Sequence, residues 1–133
     1  MKAISATATR GLNIGSHLVA ADNSGARIVK IVGVKHGKTR KGRQQYAKMA
    51  DWVKVSVRAG KPEMKGQVFD AVVVRVRKPY KRKTGERVCF EDNAAALLKD
   101  EKGNPKGTFI KGAVSREVHE RWAQVSKIAQ FVL

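Results

Sequence analysis

The sequence predicts a mainly β protein, a small closed barrel capped by a short helical tail. Three observations carry this. Five or more short runs rich in β-branched residues are separated by turn signals at close intervals. Trp52 to Arg58 alternates, with Val53, Val55 and Val57 on one face and Lys54, Ser56 and Arg58 on the other. Near the C-terminus, Val114, Val118, Trp122, Val125, Ala129 and Val132 recur at spacings of three and four, the stripe of an amphipathic helix.

Taken in order, residues 1–16 show no clean period and read as an irregular arm with at most one short strand. His17 to Ala21 is a short strand, and Asp22-Asn23-Ser24-Gly25 a turn. Ile28 to Val34 is nearly continuous β-branched sequence, which suits a strand covered on both faces. His36 to Ala50 reads as a long basic loop or projecting hairpin. Ala71 to Leu98 organises the chain. Val72, Val74 and Val76 share one strand face, expected to be dry; Val73, Arg75 and Arg77 share the other, expected to seek phosphate. Pro79 ends the strand because it lacks the N–H that a ladder needs. Lys81, Arg82 and Lys83 then fall in an exposed turn, and Val88 to Phe90 starts the return. Thr108 to Lys111 is a further short strand. Ser115 is a suitable helix N-cap with Glu117 in the first turn. The expected organisation is one domain over 1–133, with the arm at 1–16 and the helical tail at 114–132.

Composition narrows the function. Lys and Arg number 28 against 11 acids, for a formal charge of +17. Self-repulsion makes that a burden on a small fold, so a polyanion should offset it. An anionic membrane is the weaker candidate, since no stretch approaches the roughly 18 apolar residues of a span. The N-terminus carries no apolar signal-like region. The single cysteine, Cys89, reads as a small core residue of a protein in a reducing cytosol.

Catalytic and metal readings fail on spacing. Gly33 to Thr39 mimics a phosphate loop but has three residues between its glycines where four are needed, and no helix follows. His17, His36, His119 and Cys89 are scattered, whereas zinc wants about four ligands at set spacings. Ser115, His119 and Glu120 lack a nucleophile elbow or oxyanion hole. Asp92 beside Glu91 is turn and strand-edge chemistry. No enzyme, metal or cofactor is expected.

Nucleic acid remains. No acid occurs from Asn23 to Ala50, and a second basic run spans Arg75 to Lys83. Arginine forks and lysine point charges reach phosphate oxygens, and counterion release supplies affinity. The candidate RNA contacts are Arg27, Lys35, Lys38, Arg40, Lys41, Arg43, Arg75, Arg77, Lys81, Arg82 and Lys83. Tyr80 is the preferred stacking residue for an unpaired base. Tyr46 and Trp52 also border the basic stretches, with Trp52 expected in the barrel core.

Three blocks together resemble one family. They are Ala21-Asp22-Asn23-Ser24-Gly25-Ala26-Arg27; the valine run from Ala71 to Val74 with its basic turn and Phe90-Glu91-Asp92-Asn93-Ala94; and Gly107-Thr108 followed by Gly112-Ala113-Val114-Ser115-Arg116-Glu117. In this order, over nearly the whole chain, they resemble the universal large-subunit ribosomal protein L-fourteen family. Lys61-Pro62-Glu63-Met64 and the N-terminal residues look like its archaeal branch. Thr84 replaces the family's usual Asp, Asn or Ser, and Met49-Ala50-Asp51 replaces Leu-Gly-Asp. The resemblance implies a five-stranded barrel with a projecting β-ribbon and small C-terminal helices. It implies a structural role on large-subunit ribosomal RNA in the cytoplasmic ribosome, bridges to small-subunit RNA, and contact with neighbouring large-subunit proteins. It also implies exposure to a subunit anti-association factor near Thr108, Phe109 and Lys111. Trp122 joins these as a candidate protein contact, although the stripe from Val114 to Trp122 is expected to turn toward the barrel and the residues after Val125 toward a partner. The rival reading is a free RNA-binding regulator or RNA chaperone.

Overall fold

The computed structural model describes residues 2–37, 41 and 45–133. The strands are β1 (Ala6–Thr7), β2 (Leu12–Asn13), β3 (His17–Ala20), β4 (Ala26–Val34), β5 (Tyr46–Ala47), β6 (Trp52–Gly60), β7 (Val68–Arg75), β8 (Tyr80–Arg82), β9 (Arg87–Val88), β10 (Ala94–Leu97), β11 (Ile110–Val114) and β12 (Ala129–Val132), with helices α1 (Arg116–Arg121) and α2 (Ala123–Lys127) before β12.

Five strands close a barrel in the order β10-β3-β4-β6-β7. Four junctions are antiparallel, and the fifth is the parallel pair of β10 with β3, where Ala94 faces Val19. Val29, Ile31, Val53, Val55 and Val57 fill the barrel and are fully buried. The tight corner between β4 and β6 requires glycine. Gly60 has φ +150, and a Cβ there would meet the Gly25 carbonyl oxygen at 2.6 Å.

The ladder corrects two face assignments. Paired residues in adjacent antiparallel strands share a face. Ala71 pairs with buried Val53, so it points inward; Val72 pairs with Trp52 and Asp70 with Lys54, so these point outward. The register of β7 on β10 then slips: Val73 faces Ala95, but Arg75 faces Ala94. One extra residue, Val74, is accommodated as a bulge, and strict alternation ends there. Val72, Val73 and Val74 are all fully buried, because the C-terminal elements cover the outer face. In β4 the error runs the other way. Ile28 and Val32 are exposed, so this strand is half-buried rather than covered on both sides.

The tail forms two short helices, within the one or two short C-terminal helices expected, and then a strand. Ser115 caps α1 by accepting from the Val118 N–H, as the sequence suggests. Trp122 breaks the helix with φ −127 and separates α1 from α2. Ala129–Val132 is not helical; it pairs parallel to β11 as β12. A three-residue spacing and a β-branched strand share the same valines, so periodicity alone does not separate them. Trp122 is buried, donates its indole N–H to the Ala50 carbonyl at 2.9 Å, and meets Trp52 edge-on at 5.9 Å. Trp52 therefore sits outside the barrel beneath the tail, not within its core. Cys89 is exposed, contrary to the core reading.

Candidate nucleic-acid interface

The arm is more ordered than its sequence suggests, and it matters for the basic surface. β1 pairs with β8 (Ala6 with Arg82), while β2 pairs with β5 (Leu12 with Ala47). Thr9 donates to the Pro79 carbonyl at 3.0 Å, and the Gly11 backbone lies against Lys78. Arg10 places its guanidinium 4.4 Å from the Tyr46 ring centroid. One short segment thus touches both basic stretches, which are remote in sequence. Seven extended residues span at most about 25 Å, so the two stretches border a common surface. Sequence reasoning missed this because two-residue strands carry no periodic signal.

Several acids face inward or are engaged, while Glu63, Glu91 and Glu101 are exposed. Asp22 is buried, accepts from the Leu97 N–H and the Ser24 hydroxyl, and has its pKa raised by desolvation. Desolvation also raises the pKa of Asp51, which accepts from the Lys48 N–H and faces Arg121. Asp70 lies 3.4 Å from Lys54, and Asp92 pairs with Arg75. Among the described residues, only the side-chain cations of Lys35, Lys54, Arg75, Arg82 and Arg121 lie within 4.0 Å of an acidic side chain. Most of the cationic excess therefore faces solvent without an internal partner.

The predicted contact residues divide sharply. Arg27, Lys41, Arg77, Lys81 and Lys83 are exposed. Lys35 is half-buried, with its ammonium 4.5 Å above the Trp52 ring. Lys38, Arg40 and Arg43 lie outside the described residues. Three others are not outward groups at all. Arg75 lies on the outer side of β7, but β11 crosses over it. It donates to the Asp92 carboxylate at 2.8 Å and to the Lys111 and Ala113 carbonyls at 2.8 and 3.0 Å. Arg82 donates to Glu117 at 3.0 Å and to the Leu133 carbonyl. Tyr80, expected to stack on a base, is buried and donates to Glu117 at 2.7 Å. Burial first, and then the Glu117 carboxylate, raises the Tyr80 phenol to about 12. The sequence read Lys81-Arg82-Lys83 as one exposed run, but β8 alternates, so Arg82 points in while its neighbours point out.

Thr108, Phe109 and Lys111 are exposed. The Asn23 side chain holds this lip: its carbonyl accepts from the Thr108 and Phe109 N–H groups, and its amide donates to the Thr108 hydroxyl. Trp122 is not part of it, being enclosed under the tail. Among the described residues, no cluster of potential metal ligands occurs and no helix is long and apolar enough to cross a membrane.

A closed barrel with a large excess of cations on its surface defines a small basic barrel protein suited to a polyanionic partner. The chain belongs to the ribosomal protein L14p/L23e family, whose model matches residues 11–133. It is 54% identical over 133 residues to the large ribosomal subunit protein uL14 of Nanoarchaeum equitans, covering all of both chains. It is 49% identical, again over all of both chains, to the protein of that name from Halobacterium salinarum. The Methanococcus vannielii protein of that name is 45% identical over 132 residues, 99% of each chain.

Proposed function

We propose that this chain is a structural constituent of the large ribosomal subunit, working in the cytoplasm as part of the ribosome. The end-to-end similarity to proteins named large ribosomal subunit protein uL14 carries this reading. Its role is to bind large-subunit ribosomal RNA and to meet neighbouring ribosomal proteins. It performs no catalysis and needs no cofactor. Arg27, Lys41, Arg77, Lys81 and Lys83 supply phosphate contacts, joined by Lys38, Arg40 and Arg43 from the basic stretch after β4 in the sequence. Arg75, Arg82 and Tyr80 hold the scaffold instead. The chain also contributes to bridges with small-subunit RNA. Thr108, Phe109 and Lys111 form the lip that a subunit anti-association factor engages, since an exposed aromatic at 41% accessibility on a rigid edge is a natural anchor. Sedimentation tests the core of this reading. The protein should travel stoichiometrically with large subunits and leave only at high salt; recovery mainly in the soluble fraction would reject it.

A further inference from the structure

Resting on that RNA-binding reading, we propose that the cleft between the end of β4 and β5 receives one unpaired nucleotide of an RNA strand. The cleft has a volume of about 450 Å³ and is lined by Lys35, His36, Tyr46, Lys48, Asp51 and Arg121, among others. That volume suits a small ligand of nucleotide size. Its chemistry is selective. Lys35, Lys48 and Arg121 face one carboxylate, Asp51, which accepts from the Lys48 N–H at 2.8 Å and lies 3.5 Å from Arg121; Lys35 lies 4.0 Å from Asp70, so the Lys48 ammonium is the cation left for an incoming phosphate. The lining is therefore cationic toward an incoming phosphate.

The cleft also offers aromatic surface at the same place. The Tyr46 ring is held by Arg10 at 4.4 Å, and the Lys48 ammonium lies 5.6 Å from the same ring. His36 sits 5.6 Å from Trp52, which carries Lys35 on its face. Aromatic rings with cations beside them suit a base and its phosphate together, whereas a paired base presents no face to stack on. The cleft walls are braced. The Gln45 side chain accepts from the Val34 N–H and donates to the Gly37 carbonyl, tying β4 to the return strand. His36 adopts φ +60, a conformation that side chains rarely adopt and that needs a supporting structure. The larger cavity, about 700 Å³ beside Arg75, is a poor alternative for an anion. Its lining sets Glu91 and Asp92 against Arg75 and Lys111, so it carries no cationic excess.

The test uses the full chain and two short RNA duplexes, one fully paired and one carrying a single unpaired 2-aminopurine, with the mononucleotide AMP as a third probe. The bulged duplex should bind about tenfold more tightly than the paired one, the size of one base–aromatic stack, with quenching of the 2-aminopurine. Tyr46→Leu and, separately, Lys48→Gln should remove that advantage and leave paired-duplex affinity within about twofold. Two variants are used so that a folding defect in one, detected by circular dichroism, does not decide the matter. Saturable AMP binding at micromolar concentration would mean a free-nucleotide site and would overturn the proposal. So would equal affinity for both duplexes, although the RNA-binding reading would then stand. Binding to neither duplex would overturn both.

Discussion

At the residue scale, the buried Glu117 is the most consequential side chain. It is 1% exposed and receives both the Tyr80 hydroxyl and the Arg82 guanidinium. Breaking such a pair leaves a buried charge without its counterion, which costs about 3–5 kcal/mol. Arg82→Met should therefore destabilise far more than Lys81→Met one position away, where exposure predicts a change within about 0.5 kcal/mol. Denaturant titration of both variants checks this; equal effects would mean that Arg82 is not internal. Asp22 makes a pH-dependent prediction. Its folded pKa is raised above the ordinary value of 3.8, so the native state binds a proton more tightly than the unfolded chain. Asp22's contribution to stability is then greatest below 3.8 and declines as pH rises toward the folded pKa. Asp22→Asn removes that titration, so its melting temperature relative to the parent should rise over the same window and then level off. A difference that stays flat across the window would refute the assignment. Ala50 shows how a departure in sequence is absorbed. It takes φ +67 where the family's usual Leu-Gly-Asp has glycine, and its carbonyl holds Trp122. An alanine thus sits in the left-handed region, which glycine adopts without a steric cost.

At the element scale, the barrel strands and the two short helices with their Ser115 cap were legible, and the end of the tail was not. β6 reads directly from its sequence because one face is dry and the other wet. β7 misled, because a bulge at Val74 and cover on both sides erase the alternation that would mark its faces. The tail misled because Ala129 and Val132 continue a helical spacing while their backbone joins β11. This changes an expectation about truncation. A stripe divided between barrel and partner would let the chain lose everything after Ser126 without harm. In the structure that cut removes β12 and the Leu133 carbonyl that Arg82 reaches. Truncation after Ser126 should lower the melting temperature measurably. Truncation after Ser115 should lower it further, since losing a buried tryptophan alone costs about 3–5 kcal/mol. If the chain cut after Ser126 melts with the full chain, β12 adds nothing to the fold.

At the scale of the whole molecule, the charge excess named a polyanionic partner and the ordered blocks named the family. Composition did not say which cations are outward. Arg75 and Arg77 stand two apart in one basic run, yet β11 encloses the first and leaves the second in water. Pairing partners come from distant segments: Asp92 and the backbone of β11 for Arg75, Glu117 for Arg82. No local pattern encodes them. The arm is similar, since its two short strands gain meaning only from β5 and β8. The central claim is that the protein separates scaffold cations from contact cations. The salt dependence of RNA binding tests this most directly. The slope of log affinity against log salt should fall by about 0.7–0.9 for each phosphate contact removed. Arg77→Gln, Lys81→Gln and Lys83→Gln together should lower it by about two to three units and leave the melting temperature nearly unchanged. Arg75→Gln should do the reverse, lowering the melting temperature with the slope intact. A slope unmoved by the triple change, or one reduced by Arg75→Gln in a fully stable protein, would contradict the account.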